Sequence, residues 1–240
     1  MSTEFVLVCL SVFAYSLIQS IFGVGLLLFG TPTLLLLGIP FEKVLWTLLP
    51  CSILINLMQV FGDWGKITLK KNMVLFCLPF VAGGLWTVLH FHQSIPIKKY
   101  VGVLMILTAC IRVQRSLKDR LQHYCRKYTK PSLLVIGALH GLTNMGGGLL
   151  TLFVGSLFTE KEKIRSNTAF GYLMMALIQL AVLFLINQNR FGIETIGLMT
   201  IALGSYLVIG NKVFSISSEI HYQKVFTAFI SVFGITLLLF

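Results

Sequence analysis

Apolar residues recur along the whole chain in long runs, separated by short polar or glycine-rich stretches. A helix needs about 20 apolar residues to cross a hydrocarbon core of roughly 30 Å. Runs near that length, with shorter ones between them, predict an all-α integral membrane protein of eight to ten segments. The predicted helices span residues 4–22, 25–38, 43–61, 72–91, 97–113, 131–143, 147–158, 165–187, 192–211 and 222–240.

The composition excludes a soluble globular protein. Hydrophobic residues make up 56% of the chain and charged residues 11%, and the mean hydropathy is +0.88. A surface facing water needs far more charge than this. The first apolar run follows Met1, Ser2, Thr3 and Glu4 without a preceding Lys or Arg, so we interpret it as a helix of the mature protein rather than a signal peptide.

The net charge of +11 reflects membrane topology and does not indicate a nucleic-acid partner. The basic residues occupy the connections between apolar segments, where cytoplasmic loops of membrane proteins collect them. We therefore predict a multi-pass protein of the cell inner (plasma) membrane with both termini outside. In this topology Arg112 and Arg165 are loop residues, and every Lys and Arg is cytoplasmic except Lys43, Lys98, Lys99 and Arg190.

The polar, basic stretch 114–130 divides the chain into two halves and is predicted to be a cytoplasmic linker. Each half, 1–113 and 131–240, has five predicted segments. Because five is odd, the second half must enter the membrane from the side opposite to the first, which predicts two inverted-topology repeats. An offset of 121 residues pairs Gly25 with Gly146 and Thr47 with Thr168, although chance matching of Gly- and Leu-rich helices is the alternative.

Each half contains a glycine-rich interruption in its first apolar element: IFGVGLLLFGTPTLLLLG at 21–38 and ALHGLTNMGGGLLTLFVGS at 138–156. Irregular backbone at membrane depth is tolerated only where protein or a watery cavity covers it. The N-terminus of the following half-helix also favours an anion. We expect the two breaks to face each other near the midplane, the alternative being that the glycines serve close helix packing.

Polar residues near the second break add candidates. His140 is the only ionisable side chain predicted deep inside a segment, and it lies one helical turn before Asn144. It either lines a shared cavity or is a neutral histidine bonded to a backbone carbonyl. All acidic residues fall near segment ends, so an anionic or neutral substrate fits better than a cation, and neither a metal site nor a cofactor is predicted. No nucleophile, phosphate-loop or zinc motif indicates an enzyme.

The two breaks resemble those of the TauE/SafE sulfite exporter family. The resemblance rests on GVGLLLFGTPTLLLLG at 23–38 with Thr47 after it, and on GLTNMGGGLLTLF at 141–153 with Ser166, Asn167 and Thr168 after it. It implies a secondary transporter, most simply an exporter, of small sulfur-containing anions such as sulfite, thiosulfate or organosulfonates.

Within that interpretation we expect alternating access around a midplane site. A membrane scaffold or assembly subunit, and a carrier of another small anion or neutral solute, stay open as alternatives. The expected partners are the small anion and membrane lipid, and homo-oligomerisation is left open. The substrate-binding residues predicted are Gly23, Gly25, Thr47, His140, Asn144, Gly146, Gly147, Gly148, Asn167 and Thr168.

Overall fold

The computed structural model describes residues 3–91, 97–186 and 192–216, with positions 228, 232, 235 and 236. A 3₁₀ turn lies at Trp64–Lys66 and a π-helical turn at Tyr206–Gly210. The α-helices are α1 (Thr3–Phe22), α2 (Leu26–Leu36), α3 (Phe41–Gly62), α4 (Lys70–Phe76), α5 (Leu78–His90), α6 (Ile97–Val113), α7 (Arg115–Lys127), α8 (Thr129–Thr143), α9 (Gly147–Leu157), α10 (Lys161–Ile186), α11 (Ile193–Ser205) and α12 (Asn211–Ile216).

Several of these helices are long and apolar enough to cross a membrane. They are α1, α3, α4 continued by α5, α10, and α11 continued to Ser215. α2 and α9 are equally apolar but have only 11 residues each, so at about 1.5 Å per residue neither reaches across a bilayer. The prediction of an all-helical, multi-pass membrane protein is confirmed for the part of the chain that the structure describes.

α3 and α10 form the centre of the bundle. They pack against each other and are more buried than the other long helices. Both are apolar on nearly all sides, as expected for helices surrounded by protein. α2 lies against α3, and α9 lies against α10. The two short helices therefore flank the central pair.

Glycines bring α5 and α8 into backbone contact. A Cβ added at Gly84 would lie 3.0 Å from the carbonyl oxygen of Ala138. One added at Gly137 or Gly141 would overlap the carbonyl oxygens of Cys77 and Val81, respectively. Small residues at such crossings allow helices in a membrane to approach closely, so here these glycines serve packing.

The helix boundaries depart from the sequence-based expectation in three places. Segment 72–91 is divided at Cys77 into α4 and α5, and segment 192–211 continues through the π-helical turn. Segment 222–240 lies outside the described residues.

The stretch 114–130 forms α7 and the start of α8 rather than an extended polar loop. Leu117, Leu121 and Cys125 are spaced four residues apart, and they form an apolar stripe on a helix that is otherwise made of polar residues.

Candidate functional site

The first interruption separates α1 from α2 at Gly23, Val24 and Gly25. Gly23 has φ 73°, in the left-handed region that favours glycine. A Cβ at this position would lie 2.7 Å from the Arg165 carbonyl oxygen and 3.1 Å from the Ala169 amide nitrogen. The interruption is therefore pressed directly against the backbone of α10, at a spacing that only glycine permits.

Gln19 covers the start of α2. Its Oε1 accepts a hydrogen bond of 3.1 Å from the backbone N–H of Leu26. Its Nε2 donates to the Ser52 carbonyl oxygen at 3.0 Å and to Asn56 Oδ1 at 3.1 Å, which ties α1 to α3. The first N–H groups of a helix have no partner within the helix, so the Gln19 carboxamide occupies the position where an anion's oxygen would bind. The predicted site set did not include this residue.

The second interruption separates α8 from α9 at Asn144, Met145 and Gly146. Asn144 has φ 61°, a left-handed conformation that asparagine adopts more readily than most residues. Its backbone N–H donates to the His140 carbonyl oxygen at 2.7 Å, which closes the last turn of α8. Its side-chain Nδ2 donates to Thr31 Oγ1 at 2.8 Å. Asn144 therefore both ends α8 and connects the second interruption to α2.

The two interruptions touch each other beside α10. A Cβ added at Gly147 would overlap the Val24 side chain and lie 2.7 Å from Cε2 of Tyr172. One added at Gly146 would lie 3.0 Å from the Ile136 carbonyl oxygen, against the side of α8. The structure thus places residues from the first break, the second break and α10 in one cluster.

Five buried polar atoms in this region have no hydrogen-bond partner among the described residues: His140 Nδ1, Asn144 Oδ1, Thr168 Oγ1, the Tyr172 hydroxyl and Gln179 Nε2. All five residues are fully buried. His140 Nε2 lies 3.1 Å from Gln179 Oε1, and its ring centroid lies 5.5 Å from that of Tyr172. Buried polar groups normally find partners, so these unpartnered atoms make the region the candidate ligand site.

Three of the side chains in this cluster share one face of α10. Thr168, Tyr172 and Gln179 are separated by four and seven residues, a spacing that places them in one row along a helix. The Tyr172 hydroxyl lies beside the backbone of Leu28 in α2. The predicted substrate-binding residues included neither Tyr172 nor Gln179, although polar residues four and eleven positions after Thr168 were a signal for both.

Two predicted residues lie apart from the cluster. Thr47 is half-buried, donates to the Lys43 carbonyl oxygen at 2.8 Å, and lines a cavity of about 150 Å³ with Glu4 and Glu194. Glu4 is in the first turn of α1, whereas the interruption follows the last turn of that 20-residue helix. The structure therefore places Thr47 at the other end of α1, away from the interruptions.

The second of these residues is Asn167, whose side-chain amide is fully hydrogen-bonded to the 66–69 connection and to its own helix. Its Oδ1 accepts from the backbone N–H groups of Thr68 at 2.9 Å and Leu69 at 3.2 Å. Its Nδ2 donates to the carbonyl oxygens of Lys66 at 3.0 Å and Lys163 at 2.8 Å. With both ends of the amide occupied, Asn167 links the two predicted halves.

Arg112 and Arg165 are buried helical residues rather than the loop residues that the sequence suggested. Arg112 Nη2 donates to the Gly148 carbonyl oxygen at 3.3 Å and to Thr151 Oγ1, both near the start of α9. Arg165 Nη2 lies 3.1 Å from Asp63 Oδ2, and its guanidinium carbon lies 3.6 Å from the centroid of the Phe214 ring. One arginine therefore stands beside each interruption.

The family assignment follows from comparison with known proteins. A family model described as Sulfite exporter TauE/SafE matches residues 7–237. The chain belongs to the TauE/SafE family. No curated protein and no solved structure matches it. The TauE/SafE match covers both interruptions and α10, and membership identifies the chain as a membrane transporter of the sulfite-exporter type; members of the family are transporters rather than enzymes.

Proposed function

We propose that this TauE/SafE protein exports small sulfur-containing anions, such as sulfite, thiosulfate or organosulfonates, across the cell inner (plasma) membrane by alternating access. The proposal rests chiefly on the contact between the two helix interruptions beside buried polar atoms that have no partner. Discontinuous helices that meet near the midplane are the usual place for a substrate in secondary transporters.

Two inverted repeats would supply the two interruptions. A shift of 121 residues moves α2, Leu26–Leu36, onto α9, Gly147–Leu157, and moves α3 inside the bounds of α10. The same shift moves Gln19 onto His140. Each of these is a buried polar side chain before an interruption, and each is hydrogen-bonded to the long helix of its own half, α3 for Gln19 and α10 for His140.

The unpartnered atoms offer both donors and acceptors to a substrate. His140 Nε2 faces the Gln179 oxygen, so it carries the proton in a neutral ring and leaves Nδ1 as an acceptor. The Thr168 hydroxyl and Gln179 Nε2 can donate to an anion's oxygens, whereas Nδ1 and Asn144 Oδ1 can accept from a hydroxyl or ammonium group. Hydrogen sulfite and taurine carry both kinds of group, and chloride carries neither a donor nor separate oxygen atoms.

The contacts between the halves at the Asp63 end suit a closed gate. Asp63 of α3 pairs with Arg165 of α10, and Asn167 holds the 66–69 connection beside them. Alternating access requires such contacts at one end of the site to break when that end opens. In this proposal the described conformation is closed at the Asp63 end.

The test is uptake into proteoliposomes of radiolabelled sulfite, thiosulfate, taurine and sulfoacetate, with chloride and a neutral amino acid as controls. A pH gradient is imposed in one series and omitted in another. Saturable flux of a sulfur-containing anion, lost in Asn144→Leu with the protein still folded, is the expected result. Normal flux in a folded Asn144→Leu variant would show that the substrate does not bind at the interruptions.

The scaffold alternative and the neutral-solute alternative give different results in the same assay. A scaffold or assembly subunit shows no flux of any solute in protein that melts cooperatively. A carrier of neutral solutes transports the amino acid control and ignores the sulfur anions. Either outcome would reject the proposed substrate class, and the first would also reject transport.

A further inference from the structure

The basic helix α7 turns sharply away from α6. The two helices are joined at Gln114 and bent by 101°. α6 has 17 residues, which is at the short end of the length that crosses a bilayer. If α6 crosses the membrane, as the sequence predicts, a helix nearly perpendicular to it runs along the membrane surface, which would place α7 at the level of the lipid headgroups.

The inner side of α7 is attached to α9. Cys125 is buried and Leu121 is partly buried against the core. Arg126 Nε donates to the Ser156 carbonyl oxygen in the last turn of α9, where helix carbonyls lack partners within the helix. α7 is therefore fixed to α9, the helix that follows the second interruption. The other side of α7 faces away from the bundle.

The outward side of α7 combines basic and tyrosine side chains around a shallow cavity of about 550 Å³. Tyr124 and Tyr128 are 48% and 42% exposed, and their ring centroids are 4.9 Å apart. Lys127 Nζ lies 5.3 Å from the centre of the Tyr128 ring. The cavity is lined by Asp119, Arg120, His123, Tyr124, Lys127 and Tyr128.

Asp119, the acidic residue in this lining, does not neutralise the positive charge of the basic residues around the cavity. Asp119 lies 3.9 Å from Arg115 one turn earlier on α7. Arg120 and Lys127, seven residues apart, project on the same side of the helix with His123 and Tyr124 between them. Basic side chains with tyrosines at the headgroup level are the pattern of helices that bind anionic membrane surfaces.

We propose that the α7 cavity binds the phosphate headgroup of an anionic phospholipid. Arg120 and Lys127 hold the phosphate, and the exposed rings of Tyr124 and Tyr128 lie against the glycerol and the upper acyl region. We infer a lipid rather than a free anion because the 101° bend directs α7 away from the axis of the predicted membrane helix α6, and because the aromatic side chains beside the cavity are exposed. The proposal does not depend on the transported substrate.

The experiment measures lipid binding to the full chain in detergent by native mass spectrometry. Phosphatidylglycerol and phosphatidylcholine are titrated in parallel, and inorganic phosphate is added as a competitor. The test variant is Arg120→Gln with Lys127→Gln. The matched control is Lys98→Gln with Lys99→Gln, which removes the same charge from exposed positions at the other end of α6.

We expect the wild type to prefer phosphatidylglycerol over phosphatidylcholine. Each basic side chain near an anionic surface strengthens binding by roughly fivefold. The α7 variant loses two of them, so its affinity for phosphatidylglycerol should fall about twenty-five-fold, and the affinity of the control should change little. Equal retention or equal loss in the two variants would overturn the proposal. Displacement of the lipid by millimolar inorganic phosphate would overturn it too, by assigning the cavity to free anions.

Discussion

Asp63 Oδ2 and Arg165 Nη2 lie 3.1 Å apart and join α3 to α10 across 102 residues of sequence. The two side chains are only 11% and 9% exposed. Arg165 also contributes the backbone oxygen against which Gly23 is packed. The pair therefore connects the end of a central helix, the start of the other and the first interruption.

Removing one member of this pair should destabilise the protein. Asp63→Asn leaves the Arg165 guanidinium without its carboxylate, and we expect a loss of about 1–3 kcal/mol, less than the roughly 3–5 kcal/mol of a fully buried pair because both side chains touch solvent. Thermal unfolding in detergent measures the loss. Lys163→Gln, which breaks the exposed pair with Glu160, is the control and should change stability by less than about 1 kcal/mol. Similar melting temperatures for Asp63→Asn and the wild type would contradict the prediction.

The same ion pair should persist well into acid. Burial by itself would raise the pKa of the Asp63 carboxyl, but the hydrogen bonds and charges of Lys66 and Arg165 outweigh it and hold that pKa below the ordinary 3.8. A lowered pKa in the folded state means that this stabilisation is complete above 3.8 and disappears as the pH falls through the lower value. Melting temperatures measured across that acidic range should show a fall that Asp63→Asn lacks. An equally steep fall in the variant would assign the acid sensitivity to other groups.

Gly23→Ala should be more damaging than Gly38→Ala. Both glycines have positive φ, 73° and 82°, so both variants bear a backbone penalty of about 1–2 kcal/mol. At Gly23 the new Cβ would also meet backbone atoms of Arg165 and Ala169, whereas at Gly38 none of the described residues places an atom within 4 Å of it. We expect Gly23→Ala to unfold at a lower temperature and to lose transport. Equal effects of the two substitutions would show that α10 adjusts to the added carbon.

Thr168→Val separates a substrate-binding role from a structural one. The Thr168 hydroxyl is buried and has no hydrogen-bond partner in the part of the chain that the structure describes, so its replacement by a methyl group should leave stability unchanged or slightly increased. If the hydroxyl donates to the anion, the KM of the variant for the transported anion should rise about tenfold or more, because a hydrogen bond to a charged group is worth roughly 1.5–3 kcal/mol. The readout is concentration-dependent flux.

The control for Thr168→Val is Thr200→Val. Thr200 is exposed on α11 and its hydroxyl donates to the Ile196 carbonyl oxygen within the same helix. We expect normal KM and near-normal stability for it. A destabilised Thr168→Val with unchanged KM would mean that the hydroxyl has a structural role, and Thr168 would leave the candidate site.

Asn167 and Thr168 show why the candidate site could be predicted only in part. Both were selected because they follow the second glycine-rich stretch, and both are fully buried. Asn167 uses its side-chain amide on the 66–69 connection and on the Lys163 carbonyl oxygen of its own helix, while the adjacent Thr168 hydroxyl has no partner among the described residues. No local pattern distinguishes the two residues, because the groups of the 66–69 connection that Asn167 binds lie 98 to 101 residues away along the chain.

Features that depend on local composition could be predicted from the sequence. Apolar length indicated which segments are long enough to cross a membrane, the glycine-rich stretches marked where α1 and α8 end, and the motifs around these points indicated the TauE/SafE family. The tertiary structure decided what depends on distant partners. It buried Arg112 and Arg165, placed Thr47 at the other end of α1, and brought Val24 against Gly147 beside Tyr172. The physical reason is that a hydrogen bond or a close contact needs two groups in place, and packing between distant helices determines the position of the second.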